Sequence, residues 1–400
     1  MPLGWIDFSK SERNKVLSVL DLLSEPGTLD ELGIAPIRDG FANLFFPGTS
    51  TIQTRAKYFF IVPYALKDLE HSSEINPNRM LQTFNEIEKG CGMLLLNNGV
   101  DTEGVIGNRT LANGSWVKRT PADIYWAGLH SYGFFTYGNL SLTAYVKAVC
   151  AQKAQKATLV KLGNRNDNAE DNEADDKDAG NFSAIRFWNM PTYSKYWKKN
   201  LTIKLTKEEG AFLKSQIIKM HPDSLMAYIL NNKMTQILDC KSFTNLSILM
   251  HNMPEQIRTD YLSAQSFSNF LYVIRIIYNI IISDNKNETA KSEWQSVSPS
   301  LSEIASVDLE SIFKRLNIST KVPLQIFLKK EKEQMMNNNF EGMKAEIIRR
   351  EKELKQQRAK TAHPGEFDTV LWYGGKQLDY RFGNAKVIIR DIFESEDIQC

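Results

Sequence analysis

The run from Asn164 to Gly180, NRNDNAEDNEADDKDAG, constrains the chain more than any other feature: it carries seven acids against two bases and no large apolar side chain. Such a stretch cannot bury enough surface to offset the entropy of ordering it, so the residues on either side must build their own cores. With 400 residues, 42% hydrophobic and 24% charged, there is material for two or three domains, and collagen-like, mucin-like or wholly disordered chains are excluded. The expected division is a helical N-terminal domain over 1–160, an acidic linker over 161–181 and a helical middle domain over 182–282. A polar linker over 283–302 and a helical C-terminal region over 303–400 complete it.

Helix signals recur within these parts. Ser9 and Glu12 form a capping-box pattern ahead of Val16, Leu20 and Leu23, and Pro26-Gly27 stops that element. Pro36 opens a second apolar run, Ile37, Phe41, Leu44 and Phe45, which ends at Pro47-Gly48. A segment over Ile52–Glu70 contains Pro63, which is expected to kink or split it. Glycines without a sustained period between Gly90 and Trp116 suggest loops. Thr120-Pro121-Ala122-Asp123 is a strong helix start. With Gly133 and the aromatic turn from Phe134 it has the proportions of a recognition-type helix and wing. Another helix is expected from Ser141 to about Thr158, and Thr206 with Glu209 caps one ending near His221-Pro222.

Phe267–Ile282 is the most apolar stretch, but it is shorter than the roughly 20 residues a membrane span needs and contains Arg275, so it reads as a buried helix and no membrane association is expected. Lys329–Lys360, with ten bases, six acids and strong helix formers, reads as one long exposed helix. The predicted fold class is mainly α and multidomain, with a winged-helix-like unit in the N-terminal part. The N-terminal residues lack the pattern of a secretory signal, and Cys91, Cys150, Cys240 and Cys400 form no closely spaced pair, so a cytoplasmic protein with reduced thiols is expected.

Enzyme signatures are largely absent: there is no GxxxxGK[ST], GxGxxG, HExxH or GxSxG, and none of the five histidines is followed by lysine at the second position. No cofactor and no metal are expected. Glu353-Leu354-Lys355 matches half of a metal-dependent nuclease core, but in a helical charge run rather than on the strand that chemistry needs.

Three segments suit polyanions. Thr49, Ser50 and Thr51 follow Pro47-Gly48, with Arg55 and Lys57 close behind, an arrangement that offers backbone N–H groups and cations to a phosphate. A well-capped helix start with solvated bases is the alternative. Lys118 and Arg119 precede the recognition-type helix. Arg186–Lys199 interleaves Trp188, Tyr193, Tyr196 and Trp197 with Arg186, Lys195, Lys198 and Lys199, as binding of a single strand requires; tryptophans belonging to a core, with lysines snorkelling outward, are the alternative. The formal net charge of +2 averages unlike parts, because the acidic run and the basic stretch at 329–360 oppose each other.

The strings GWIDFS, DELGIAPIRDGFANLFFPGTSTIQTRAKYFFIVPY, GVIGNR and TPADIYWAGLHSYG resemble a family of bacterial proteins of unknown function, with a fainter echo at Leu378–Ile392. Members look like accessory components of antiphage defence clusters, encoded near large helicases and phospholipase D type nucleases. The resemblance implies a non-catalytic accessory subunit that binds DNA or docks a helicase or nuclease of the same gene cluster. A pure assembly subunit and a cryptic metal-dependent nuclease are the alternatives.

Overall fold

The computed structural model describes residues 30–99, 101–138, 140–163, 186–367 and 370–397. The helix expected after Ser9 and the acidic run lie outside the described residues. In chain order the α-helices are α1 (Ala35–Phe45), α2 (Tyr58–Glu70), α3 (Pro77–Asn98), α4 (Asn108–Leu111), α5 (Pro121–Ser131), α6 (Leu142–Gly163), α7 (Lys207–Met220) and α8 (Leu225–Asn231). They continue with α9 (Glu255–Ile282), α10 (Glu288–Val297), α11 (Leu301–Ile304), α12 (Leu309–Arg315), α13 (Val322–Met336), α14 (Phe340–Lys355) and α15 (Phe382–Glu396). Among the described residues there is no β-strand, only an isolated bridge between Phe135 and Trp188, so the fold is mainly α. No helix among them is long and apolar enough to cross a membrane.

The chain forms two compact units, each drawn from separate stretches: residues up to Ala42 with Phe243–Tyr380, and Asn43–Ser242 with Arg381–Cys400. In the first, α9 supplies the core and carries the apolar run as expected. The polar linker expected over 283–302 instead contains α10. Asn287 caps it by accepting from the Ala290 N–H at 2.9 Å, and Ala290, Trp294 and Val297 recur at helical spacing and pack with Ile276 and Ile280.

The expected long helix over 329–360 is two helices, α13 and α14, packed against each other. Asn337-Asn338-Asn339 breaks it, with Asn338 at φ 51°, a left-handed conformation that asparagine tolerates. Nor is the stretch uniformly exposed. Glu331 and Glu351 are fully buried. Glu351 accepts from the Tyr278 hydroxyl and the Thr361 N–H, both at 2.9 Å.

In the second unit α2 is buried along nearly its whole length, with Tyr58 to Leu66 out of solvent. Pro63 sits inside the helix without splitting it. Helices α3 and α5 pack on α2, and α7 packs on α8 and α15. The loops expected from Gly90 are delayed: α3 runs on to Asn98, and Gly92 within it lets Leu111 and Trp116 approach the helix backbone, where a Cβ would meet Leu111 at 2.8 Å. Gly128 on α5 is needed for the same reason, since a Cβ there would lie 2.6 Å from the Gly48 carbonyl oxygen.

Two expected capping boxes form, Thr120 with Asp123 and Thr206 with Glu209, while that of Ser9 with Glu12 lies outside the described residues. The winged-helix-like unit does not. Ala122, Ile124, Tyr125 and Leu129 of α5 pack inward, and the aromatic turn after Gly133 buries Phe134 and Phe135 instead of projecting as a two-stranded wing. Apolar rings of that size are more stable in a core than on a groove-reading surface.

A pH dependence follows from α3. Glu88 is buried and accepts from the Ala122 N–H at 2.7 Å in the first turn of α5. Burial pushes its carboxyl up to about 8. With the folded value above the unfolded one, the stability contributed by the protonated form is complete below pH ~4.5 and is lost as pH rises through about 8. Melting temperatures between pH ~5 and ~9 are therefore expected to fall more for the wild type than for Glu88→Gln; parallel curves would contradict the assignment.

Candidate binding face in the second unit

The Pro47–Tyr58 segment directs its donors inward. The Thr49 N–H bonds the Phe46 carbonyl at 3.3 Å, and the Ser50 N–H bonds Gln53 Oε1 at 3.2 Å. The N–H groups of Thr54 and Arg55 both donate to the Tyr125 hydroxyl, and that of Ala56 donates to Asp391 at 2.7 Å. The Thr49 side chain is buried and donates to the Phe46 carbonyl at 2.6 Å, while Thr51 is exposed. The helix itself starts only at Tyr58.

The two cations of this segment are internal as well. Arg55 Nε donates to both oxygens of Asp391 on α15, at 3.0 and 3.1 Å, and its Nη1 donates to Asp101 at 2.8 Å and the Glu103 carbonyl at 3.0 Å. Burial alone would lower the guanidinium pKa, but the hydrogen bonds and charges of Asp391 and Asp101 outweigh it and raise the pKa. Asp101 is in turn held below the usual carboxylate range, chiefly by its hydrogen bond from Arg55. Lys57 Nζ lies 2.8 and 2.6 Å from the two oxygens of Glu209. Arg55 and Lys57 thus face carboxylates rather than solvent, a correction to the phosphate-cradle expectation. A cation placed beside a continuous apolar helix has to find an acid when that helix is buried. That local signal is readable in RAKYFFIV, but the identity of Asp391, Asp101 and Glu209 as the partners is not.

Lys118 is exposed and Arg119 half-buried on the turn before α5, apart from any reading helix. The Arg186–Lys199 segment splits into two roles. Trp188 belongs to the core: it is 8% exposed, its Nε1 donates to the Tyr145 hydroxyl at 3.0 Å, and its ring meets Trp126, Phe135 and Tyr145 edge-on. Arg186, Lys195, Tyr196 and Lys199 are exposed, and Trp197 and Lys198 are half-buried. The Lys195 ammonium lies 4.8 Å from the Tyr196 ring centroid and that of Lys198 lies 5.1 Å from the Trp197 ring, each a cation over an aromatic face.

Asp68 on α2 organises this ridge. It accepts from the Tyr193 hydroxyl at 3.0 Å and from Trp197 Nε1 at 2.9 Å, and pairs with Lys198 at 3.3 Å. Tyr193 stacks on Tyr64 with centroids 4.2 Å apart and planes at 14°, and Trp197 meets Tyr64 edge-on at 5.5 Å. Burial first, then the Asp68 charge, pushes the Tyr193 hydroxyl up and keeps it a donor. Beside these rings opens a cavity of about 670 Å³, lined further by Leu201, Lys204, Leu205 and Glu208, with the Lys57–Glu209 pair on its wall.

No group of three or more His, Cys, Asp or Glu placed to hold a metal ion occurs among the described residues. Glu353 and Lys355 lie in α14, where Glu353 pairs with Arg349 and Lys355 with Glu31, so this pair does not sit on the strand a nuclease core requires.

No curated protein and no solved structure matches this chain. Residues 1–166 match the model of a family described as a family of unknown function (DUF6361), so the similarity covers Arg55, Lys57 and α5 but neither Asp391 nor Glu209, and it ends before the aromatic ridge.

Proposed function

We propose that this chain is an accessory subunit that binds nucleic acid, with the Tyr193–Lys204 ridge as the contact surface. The observation that supports this is the placing of cations over aromatic faces, exposed Lys195 over Tyr196 and half-buried Lys198 over Trp197, beside a preformed cavity. Bases stack on rings and phosphates meet the cations, which favours a strand without requiring a particular sequence. The place of such a subunit in antiphage defence, beside a helicase or nuclease, is what the family resemblance implies. A docking role has support of its own in Val322, Ile326 and Met336, which are exposed along one side of α13.

Equilibrium binding of the full chain to a labelled single-stranded oligonucleotide tests the reading. With about five cations engaged, affinity is expected to fall roughly a hundredfold between about 50 and about 200 mM salt. Absence of binding at the lower salt overturns it.

A further inference from the structure

We infer that the cavity beside Trp197 receives one unstacked nucleotide, so that the protein discriminates single strands from duplex; this rests on the ridge being a nucleic-acid surface. The cavity's volume, about 670 Å³, is in the range of small-ligand sites and is ample for a base with its sugar. Its walls are set in advance. Asp68 fixes both Tyr193 and Trp197 through hydrogen bonds of 3.0 and 2.9 Å, and Tyr64 backs Tyr193 as a parallel ring 4.2 Å away. Rings already held in place lose little rotamer freedom when a base arrives.

The polar groups around the cavity are varied and suit the edge of a base. Thr192, Ser194, Asn200 and Thr202 offer hydroxyl and amide groups that both donate and accept, while Leu201 and Leu205 supply apolar surface. Lys204 lies exposed at the same cavity, and Lys195, Lys198 and Lys199 follow along the ridge, which places cations on the path of a backbone leading to and from the pocketed nucleotide. A base stacked inside a duplex cannot enter such a cavity without being flipped out, whereas a single strand presents its bases freely. Aromatic walls also accommodate prolines of an extended peptide. At the rim Glu209 is already paired with Lys57 and Asp68 with Lys198, so the lysine-rich surroundings favour the anionic ligand.

The experiment compares anisotropy of a labelled single-stranded oligonucleotide, the matching duplex and a proline-rich peptide on the full chain, with calorimetric titration of a mononucleotide. Two variants accompany the wild type: Trp197→Ala removes a wall, and Thr202→Trp fills the cavity from an exposed position, so the second remains informative if the first misfolds. The inference predicts preference for the single strand, measurable mononucleotide binding, and a loss of about fivefold to a hundredfold in single-strand affinity in both variants. Equal affinity for strand and duplex, unchanged in folded variants, overturns the inference and leaves the ridge reading standing. Binding of neither nucleic acid overturns both. Peptide binding that a mononucleotide does not displace assigns the cavity to a peptide and likewise overturns the inference.

Discussion

Arg55→Ala is expected to destabilise the protein by about 3–5 kcal/mol, because it removes one partner of a buried ion pair and leaves Asp391 charged and enclosed. The side chains of Arg55 and Asp391 are only 9% and 3% exposed, and the guanidinium is also the donor to Asp101 and the Glu103 carbonyl. Urea denaturation followed by circular dichroism is the measurement. Replacing both partners with apolar residues, Arg55→Met with Asp391→Leu, is expected to recover much of the loss, since two desolvated charges then disappear together. Recovery stays incomplete because Asp391 also accepts from the Ala56 N–H at 2.7 Å. An Arg55→Ala variant as stable as the wild type would contradict the internal role.

Lys57→Met is expected to cost a similar ~3–5 kcal/mol through the stranded Glu209 carboxylate. Glu209 also serves the helix that carries it, since its carboxylate accepts from the Thr206 N–H at 2.8 Å and closes the capping box of α7. The informative partner is therefore Glu209→Gln, which removes the charge and keeps an acceptor for the cap. The double variant Lys57→Met with Glu209→Gln is expected to be more stable than Lys57→Met alone. If the two losses simply add, the pair is not coupled and the account of Lys57 fails.

Local patterns were readable in the sequence and long-range pairings were not. Thr120-Pro121-Ala122-Asp123 and Thr206 with Glu209 announce helix starts because the capping box is a four-residue event, and the structure forms both. The apolar run Phe267–Ile282 announces a buried helix because apolar side chains fill most of its positions and leave only a narrow polar stripe. By contrast, the stretch from Lys329 to Lys360 looks uniformly exposed until Glu331 and Glu351 are found inside, and nothing local marks them apart from their neighbours. The glycines at 90 and 92 look like loop residues because the close approach of Leu111 and Trp116 to Gly92 is a tertiary fact. The most misleading segment was Pro47–Tyr58. Its hydroxyls, N–H groups and cations have the composition of an anion cradle, yet Gln53, Tyr125 and Asp391 occupy them, the last from 336 residues away. Of the candidate site, the Tyr196, Trp197, Lys195 and Lys198 cluster was legible as alternating cations and rings, whereas Asp68, which holds the ridge in shape, was not.

On the proposed reading the ridge, and not the Pro47–Tyr58 segment, carries the nucleic-acid affinity. Salt-dependent binding of a single-stranded oligonucleotide to the wild type and to Lys195→Ala/Lys198→Ala/Lys199→Ala tests it most directly. The account predicts weaker binding by the variant and a log–log salt slope shallower by about 2, that is ~0.7 for each lost phosphate contact on a single strand. An unchanged affinity and slope in a folded triple variant would contradict it.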